Sequence, residues 1–302
     1  MNISPKTVGA IAGAMAAAAY GLNPLFAIPL YKMGLTPTMV LFYRFALAAL
    51  MLVPVLWLKR CKFALTKNEA VASFAGSALM VTSSLCLYTS FKYMDIGLSM
   101  TLLFLYPVFV AVIMSTAFGE KLSLAIISSI ILALSGLAMV TLPGKGGDSQ
   151  LFITWTGVML AVGSALSYAF YIVAVRKSSM RNLSSEKLTF YTAVFAVPFF
   201  LILLDCGTSV PLPDSWSMGW NLLGVAFFPT VVALVFMAVA IEKIGATPAA
   251  ILGVLEPVTG LLVGILLFGE KLTVLSTLGI VLIFSSVLLV IAGDRKKADK
   301  TR

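Results

Sequence analysis

Long apolar runs alternate with short polar connectors along the whole chain. A run of about 20 apolar residues is what crosses a hydrocarbon core roughly 30 Å thick. Ten runs of that kind fall at 8–31, 37–58, 70–91, 96–118, 123–142, 155–175, 186–204, 219–240, 247–268 and 273–292. Glycine and proline recur inside them, which membrane helices tolerate when neighbours re-satisfy the freed backbone groups. The longest connectors are 143–154 and 205–218. The pattern predicts an all-α integral membrane protein with ten transmembrane helices.

The pattern also occurs twice. Residues 101–123 and 251–273 align without a gap at 9 identities in 23 positions. Pro107 meets Pro257, and the block Phe118–Leu122 meets Phe268–Leu272 intact. Apolar matches carry little weight in so Leu-rich a chain, but a proline and a Gly-Glu-Lys run in register do. At an offset of 148, Gly9 meets Gly157, Tyr20 meets Tyr168 and Phe42-Tyr43 meets Phe190-Tyr191, whereas Arg44 meets Thr192. Two five-helix repeats follow, 8–142 and 155–292, with a basic tail at 293–302. Five is odd, so the second repeat must enter the membrane inverted relative to the first. Inverted repeats make inward-open and outward-open packings nearly equivalent, which is the physical basis of alternating access.

Composition agrees. Of 302 residues, 60% are hydrophobic and 11% charged, with a mean hydropathy of +1.05. A soluble domain has about 45–50% apolar and about 25% charged residues. The net charge of +9 does not point to nucleic acid, because the basic residues sit in connectors and in the tail Arg295–Arg302. With the N-terminus in the cytoplasm, inside segments carry 16 Lys and Arg and outside loops carry 4. That asymmetry predicts cytoplasmic termini. Lys6 and the Ala-rich stretch after it imitate a signal peptide, but the run Val8–Tyr31 exceeds an h-region of about 7–15 residues and reads as a retained helix.

The chain has no histidine, which removes Ser-His-Asp triads, HExxH zinc sites and imidazole proton relays. Cys61, Cys86 and Cys206 show no CxxC spacing and match no metal or disulfide framework. Gly144-Lys145-Gly146-Gly147 lacks the second half of a Walker A loop. No catalytic residue, metal or cofactor is expected, and the chain does not read as an enzyme. An enzyme would have to rest on isolated carboxylates, of which only Glu256 is placed inside the membrane. A channel would lack an ion-selective ring unless the protein oligomerises.

Ten helices in two inverted repeats, a proline inside the fourth helix of each and Gly-Glu-Lys-Leu at its end resemble the EamA-type carriers of the drug/metabolite transporter superfamily. Leu255-Glu256-Pro257-Val258, the paired Phe-Gly-Glu-Lys-Leu blocks and Arg44-Phe45-Ala46 carry the resemblance most specifically. It implies a multi-pass carrier of the cell inner (plasma) membrane, commonly an exporter of amino acids or related small metabolites. It also implies a central cavity between the halves, without fixing one substrate. An uptake carrier or facilitator of the same fold is the alternative within transport.

The candidate site residues follow from polar groups at membrane depth. Glu256 is expected near mid-membrane, where an ionisable group needs a cavity or a partner. It reads as a protonatable group or a partner for a solute amine, and equally as a packing residue at the Pro257 distortion. Tyr106 is its counterpart in the other repeat. Ser164, Tyr168 and Tyr171 share a helix face, as do Ser84 with Tyr88 and Tyr20 with Asn23. These stripes read as a hydroxyl- and aromatic-lined cavity for a neutral or zwitterionic solute, or as small-polar helix packing. Arg44 reads as an anion contact or, preferentially, as an interface anchor snorkelling to the outer headgroups. Gly119 and its copy are expected to end a helix, with Ser123 or Thr273 capping the next.

Overall fold

Hydroxyl side chains start the helices. In the computed structural model, residues 4–94, 96–141, 154–204, 210, 212–268 and 274–299 are described. Ser4, Thr36, Thr66, Thr154, Ser184 and Ser215 each accept a hydrogen bond from the backbone N–H three residues on. Each thereby satisfies a donor that a helix start leaves without an internal partner. The order is α1 (Pro5–Gly21), α2 (Asn23–Lys32), α3 (Pro37–Leu58), α4 (Lys67–Ser90), α5 (Ile96–Leu103), α6 (Tyr106–Phe118) and α7 (Leu124–Thr141). There follow α8 (Trp155–Lys177), α9 (Ser185–Leu203), α10 (Trp216–Ala226), α11 (Ala233–Ile244), α12 (Ala246–Leu252), α13 (Glu256–Phe268) and α14 (Val274–Asp299). Among the described residues there is no strand.

By length and composition, eight helical stretches can cross a membrane: Pro5–Lys32, Pro37–Leu58, Lys67–Ser90, Leu98–Phe118, Trp155–Lys177, Ser185–Leu203, Trp216–Ile244 and Ala246–Val263. Two shorter apolar helices, Leu124–Val140 and Val274–Val290, fall where the fifth and tenth runs were expected. The exterior is apolar: Leu50, Ile131, Leu266 and Leu288 are all exposed. Trp155, Trp216 and Trp220 stand exposed near helix ends, the position of interfacial aromatic anchors.

Four of the runs are interrupted, and each interruption has a proline beside it. The first breaks at Leu22, just before Pro24. The fourth breaks at 104–105, between α5 and α6, and the ninth at the 3-10 turn Gly253–Leu255. Pro107 and Pro257 lack the N–H that would have bonded Leu103 and Gly253 four residues back, so both repeats break at equivalent places. The eighth run contains a π-helical turn, Phe227–Val232, around Pro229. Its counterpart α4 is one uninterrupted helix.

Close helix contacts recur between the halves. α4 packs against α8 and α1 against α11, while α3 packs against α9 and α7 against α14. A Cβ on Gly9 would lie 2.7 Å from Ile244, and one on Gly157 2.8 Å from Met94. Gly136 and Gly279 each bring a virtual Cβ within 2.5 Å of the other's carbonyl oxygen. Small residues admit this approach, as is usual between membrane helices. Gly119 ends α6 in the left-handed region at φ 65, and Ser123 Oγ accepts from the N–H of Ile126 to open α7. The second copy of that turn at 269–273, the connector 142–153, Cys206 and the end of the tail at 300–302 lie outside the described residues.

Candidate functional site

The helix breaks meet around a cavity of about 70 Å³. Tyr20, Asn23, Arg44, Ser84, Tyr88, Tyr106, Tyr168 and Glu256 line it, together with Met80, Ser83, Leu87, Met100 and Leu103. The first eight are candidates from the sequence. The apolar liners carry no signal in a chain made mostly of such residues. Asn23 Oδ1 is buried without a hydrogen-bond partner.

Three of the tyrosines are linked through their rings. Tyr106 and Tyr168 meet edge to face at 4.9 Å between centroids, and Tyr171 stacks behind Tyr168 at 6.1 Å. Tyr171 is buried and does not line the cavity; it backs the ring that does. The Tyr106 hydroxyl occupies the place of the missing side chain of Gly253, where a Cβ would stand 1.8 Å from the oxygen. Glycine in the second repeat's broken turn thus seats a tyrosine from the first.

Ser164 is also absent from the lining. It is fully buried, and its hydroxyl donates to the carbonyl oxygen of Ser83 at 2.7 Å and lies 3.0 Å from Ser83 Oγ. It fastens α8 to α4. Ser84, one residue on, lines the cavity while donating to the Met80 carbonyl at 3.0 Å.

Arg44 turns inward, at 5% exposure, and not toward a headgroup layer. The cause is the π-turn. Pro229 has no N–H for the carbonyl of Val225, and Thr230 Oγ1 donates to that oxygen instead, at 3.1 Å. The N–H of Ala233 goes to the carbonyls of Phe228 and Thr230 and passes over Pro229. Arg44 donates into this turn: Nη2 to the Pro229 carbonyl at 2.7 Å and Nε to Thr230 Oγ1 at 2.6 Å. Its guanidinium also lies 5.0 Å from the centroid of the Tyr20 ring, within cation–π range. The fork has further N–H donors beyond the two these bonds use.

Glu256 is the first residue of α13 and faces the same cavity. No ion pair within 4.0 Å joins it to Arg44. The Arg44 guanidinium and the Glu256 carboxyl therefore line one small space without a direct ion pair. Among the described residues, no cluster of His, Cys, Asp or Glu could hold a metal ion.

The comparisons with known proteins agree with this architecture. The model of the EamA-like transporter family matches residues 7–142 and 155–292, one match in each half. An uncharacterized transporter of Archaeoglobus fulgidus is 28% identical over 65% of this chain and 67% of its own. The uncharacterized transporter YxxF of Bacillus subtilis is 24% identical over 78% of this chain and 74% of its own. A solved crystal structure superposes with a TM-score of 0.78 over 95% of this chain and 98% of its own, at 15% identity, which establishes a shared fold. With both halves matched, the chain is a multi-pass membrane protein that belongs to the EamA-like transporter family.

Proposed function

We propose that the protein is a secondary carrier of small zwitterionic metabolites, amino acids or related solutes, working by alternating access. The observation that carries this reading is that Arg44, Glu256 and four tyrosines, Tyr20, Tyr88, Tyr106 and Tyr168, line one cavity. Each charge is costly at membrane depth, by about 2.5–3.5 kcal/mol for Arg or Asp on an insertion scale. A solute bearing a carboxylate and an ammonium complements both at once. Among the described residues, no cluster of metal ligands stands with them.

Ten spans in two inverted repeats suit this role. The contacts are nearly unchanged when the halves are exchanged: Gly9 with Ile244 answers Gly157 with Met94, and α4 with α8 answers α11 with α1. Such exchange is what a two-fold axis in the membrane plane requires. On the orientation given by the charge asymmetry, both termini are cytoplasmic, and the membrane that the family resemblance implies is the inner (plasma) membrane. On the inner side of the cavity, Gly13 packs against Leu252 and Gly76 against Met180. Export is the working direction that the family resemblance implies, and Glu256 is the group that would carry a coupled proton.

Counterflow in liposomes tests the reading. Purified protein should exchange labelled alanine for unlabelled alanine with saturable kinetics, and Glu256→Ala and Arg44→Ala should each lower the rate at least about ten-fold. Exchange of methylamine or acetate in place of alanine, or no exchange of any zwitterion, would refute it.

A further inference from the structure

The space at this site does not end with the polar cavity. A second cavity of about 280 Å³ abuts it and shares Tyr20, Asn23, Met100 and Glu256 with it. Beyond those residues its side-chain walls are apolar: Pro24, Phe104, Val140, Pro257 and Leu261, with Gly260 between them. Arg44, Ser84 and Tyr88 line only the first cavity. Arg44 and the serines are therefore confined to the first side, while the second adds only apolar side chains, with Glu256, Asn23 and Tyr20 on the boundary.

We infer that the two cavities are one binding site for an amphipathic zwitterion whose bulky apolar substituent fills the second. The inference rests on the zwitterion reading above. The carboxylate points to Arg44, and the ammonium sits between the Glu256 carboxylate and Asn23 Oδ1, a buried acceptor without a protein donor. An acceptor in that state is costly until something donates to it. The carbon that bears both charged groups then stands at the boundary, and its substituent projects into the apolar space. A dry apolar cavity of about 150 Å³ already holds a benzene ring in another protein, so this one takes a branched or aromatic group.

Gly260 sets the size of that space. A Cβ there meets nothing nearer than the Gly21 carbonyl oxygen at 3.8 Å. That is ordinary van der Waals contact, so a side chain at this lining position has room to form and takes up part of the cavity.

The experiment is alanine counterflow in liposomes containing the full chain, with glycine, leucine and phenylalanine as competitors. In the parent, leucine or phenylalanine should compete at least about ten-fold better than glycine, since a single methylene in an apolar pocket discriminates by about 10–200-fold. Gly260→Leu should cut that ratio about ten-fold. Val140→Ala should raise the ratio of phenylalanine to leucine, and it decides the matter alone if Gly260→Leu does not fold. If no amino acid is exchanged, the zwitterion reading falls and takes this inference with it. If amino acids exchange but glycine competes as well as phenylalanine, or if the variants leave the ratios unmoved, this inference falls and the zwitterion reading stands.

Discussion

Arg44 donates to the carbonyl oxygen of Pro229, 185 residues away, at 2.7 Å. That carbonyl lies in the π-turn, where the N–H of Ala233 passes it by, and the residue after it, Thr230, takes the guanidinium's Nε. The arginine of the first repeat thus completes the interrupted helix of the second, while its face toward the cavity remains a cationic wall.

The clamp makes a prediction about substitution. An ammonium is a point donor and cannot match a planar fork holding two acceptors. Arg44→Lys should therefore melt several degrees below the parent and lose most counterflow. Thr230→Val should cost about 1–3 kcal/mol of stability, because it leaves Nε and the Val225 carbonyl without their shared hydroxyl. Melting curves of the purified proteins in one detergent measure both. A lysine variant with parental stability and transport would show that the clamp does not matter.

This behaviour of Arg44 was not legible in the sequence. Snorkelling is the default for a long cation near a helix end, and only the π-turn supplies interior acceptors. A proline inside an apolar run announces a distortion but not its type. By contrast, Pro107 and Pro257 in register announced that Tyr106 and Glu256 would stand at equivalent breaks, and both line the cavity. Periodicity placed Ser164 and Tyr168 on one face. It could not say that the face is divided, with Ser164 against Ser83 and Tyr168 at the cavity. That division depends on how closely α4 approaches, which is a tertiary property.

Orientation is testable with the native thiols. Cys61 follows Lys59 and Arg60 at the end of α3 and is half-buried; Cys206 lies in the connector 205–218. In single-cysteine variants, an impermeant maleimide should label Cys206 in intact cells and Cys61 only after the membrane is opened. Labelling in the reverse order would invert the assignment of inside and outside.

Gly253 and Tyr106 should behave as one unit. A methyl at residue 253 collides with the Tyr106 hydroxyl, whereas the next ring atom, Cζ, is 3.1 Å away. Overpacking of this kind costs about 1–3 kcal/mol. Gly253→Ala should be destabilised and transport poorly, because Tyr106 is pushed from the cavity wall. Adding Tyr106→Phe should recover stability, giving a coupling of about 0.5–3 kcal/mol in a double-mutant cycle. Additive losses would mean that the glycine is needed for the backbone turn alone.

Glu256 bears on coupling. It begins α13, beside Pro257, and lines both cavities. The chain has no histidine to relay protons, and the other polar groups lining its cavities are tyrosines, Ser83, Ser84, Asn23 and Arg44. A proton that moves with the solute therefore has one carboxyl to occupy. Glutamine keeps the size and hydrogen-bonding reach of that side chain and removes its titration. In liposomes with an imposed pH gradient, the parent should accumulate alanine in proportion to the gradient. Glu256→Gln should retain residual counterflow and lose the accumulation. Should the variant still accumulate solute with the gradient, the carboxyl serves packing and solute contact only. A parent indifferent to the gradient would instead make the protein a facilitator, and the role of Glu256 would reduce to binding the ammonium.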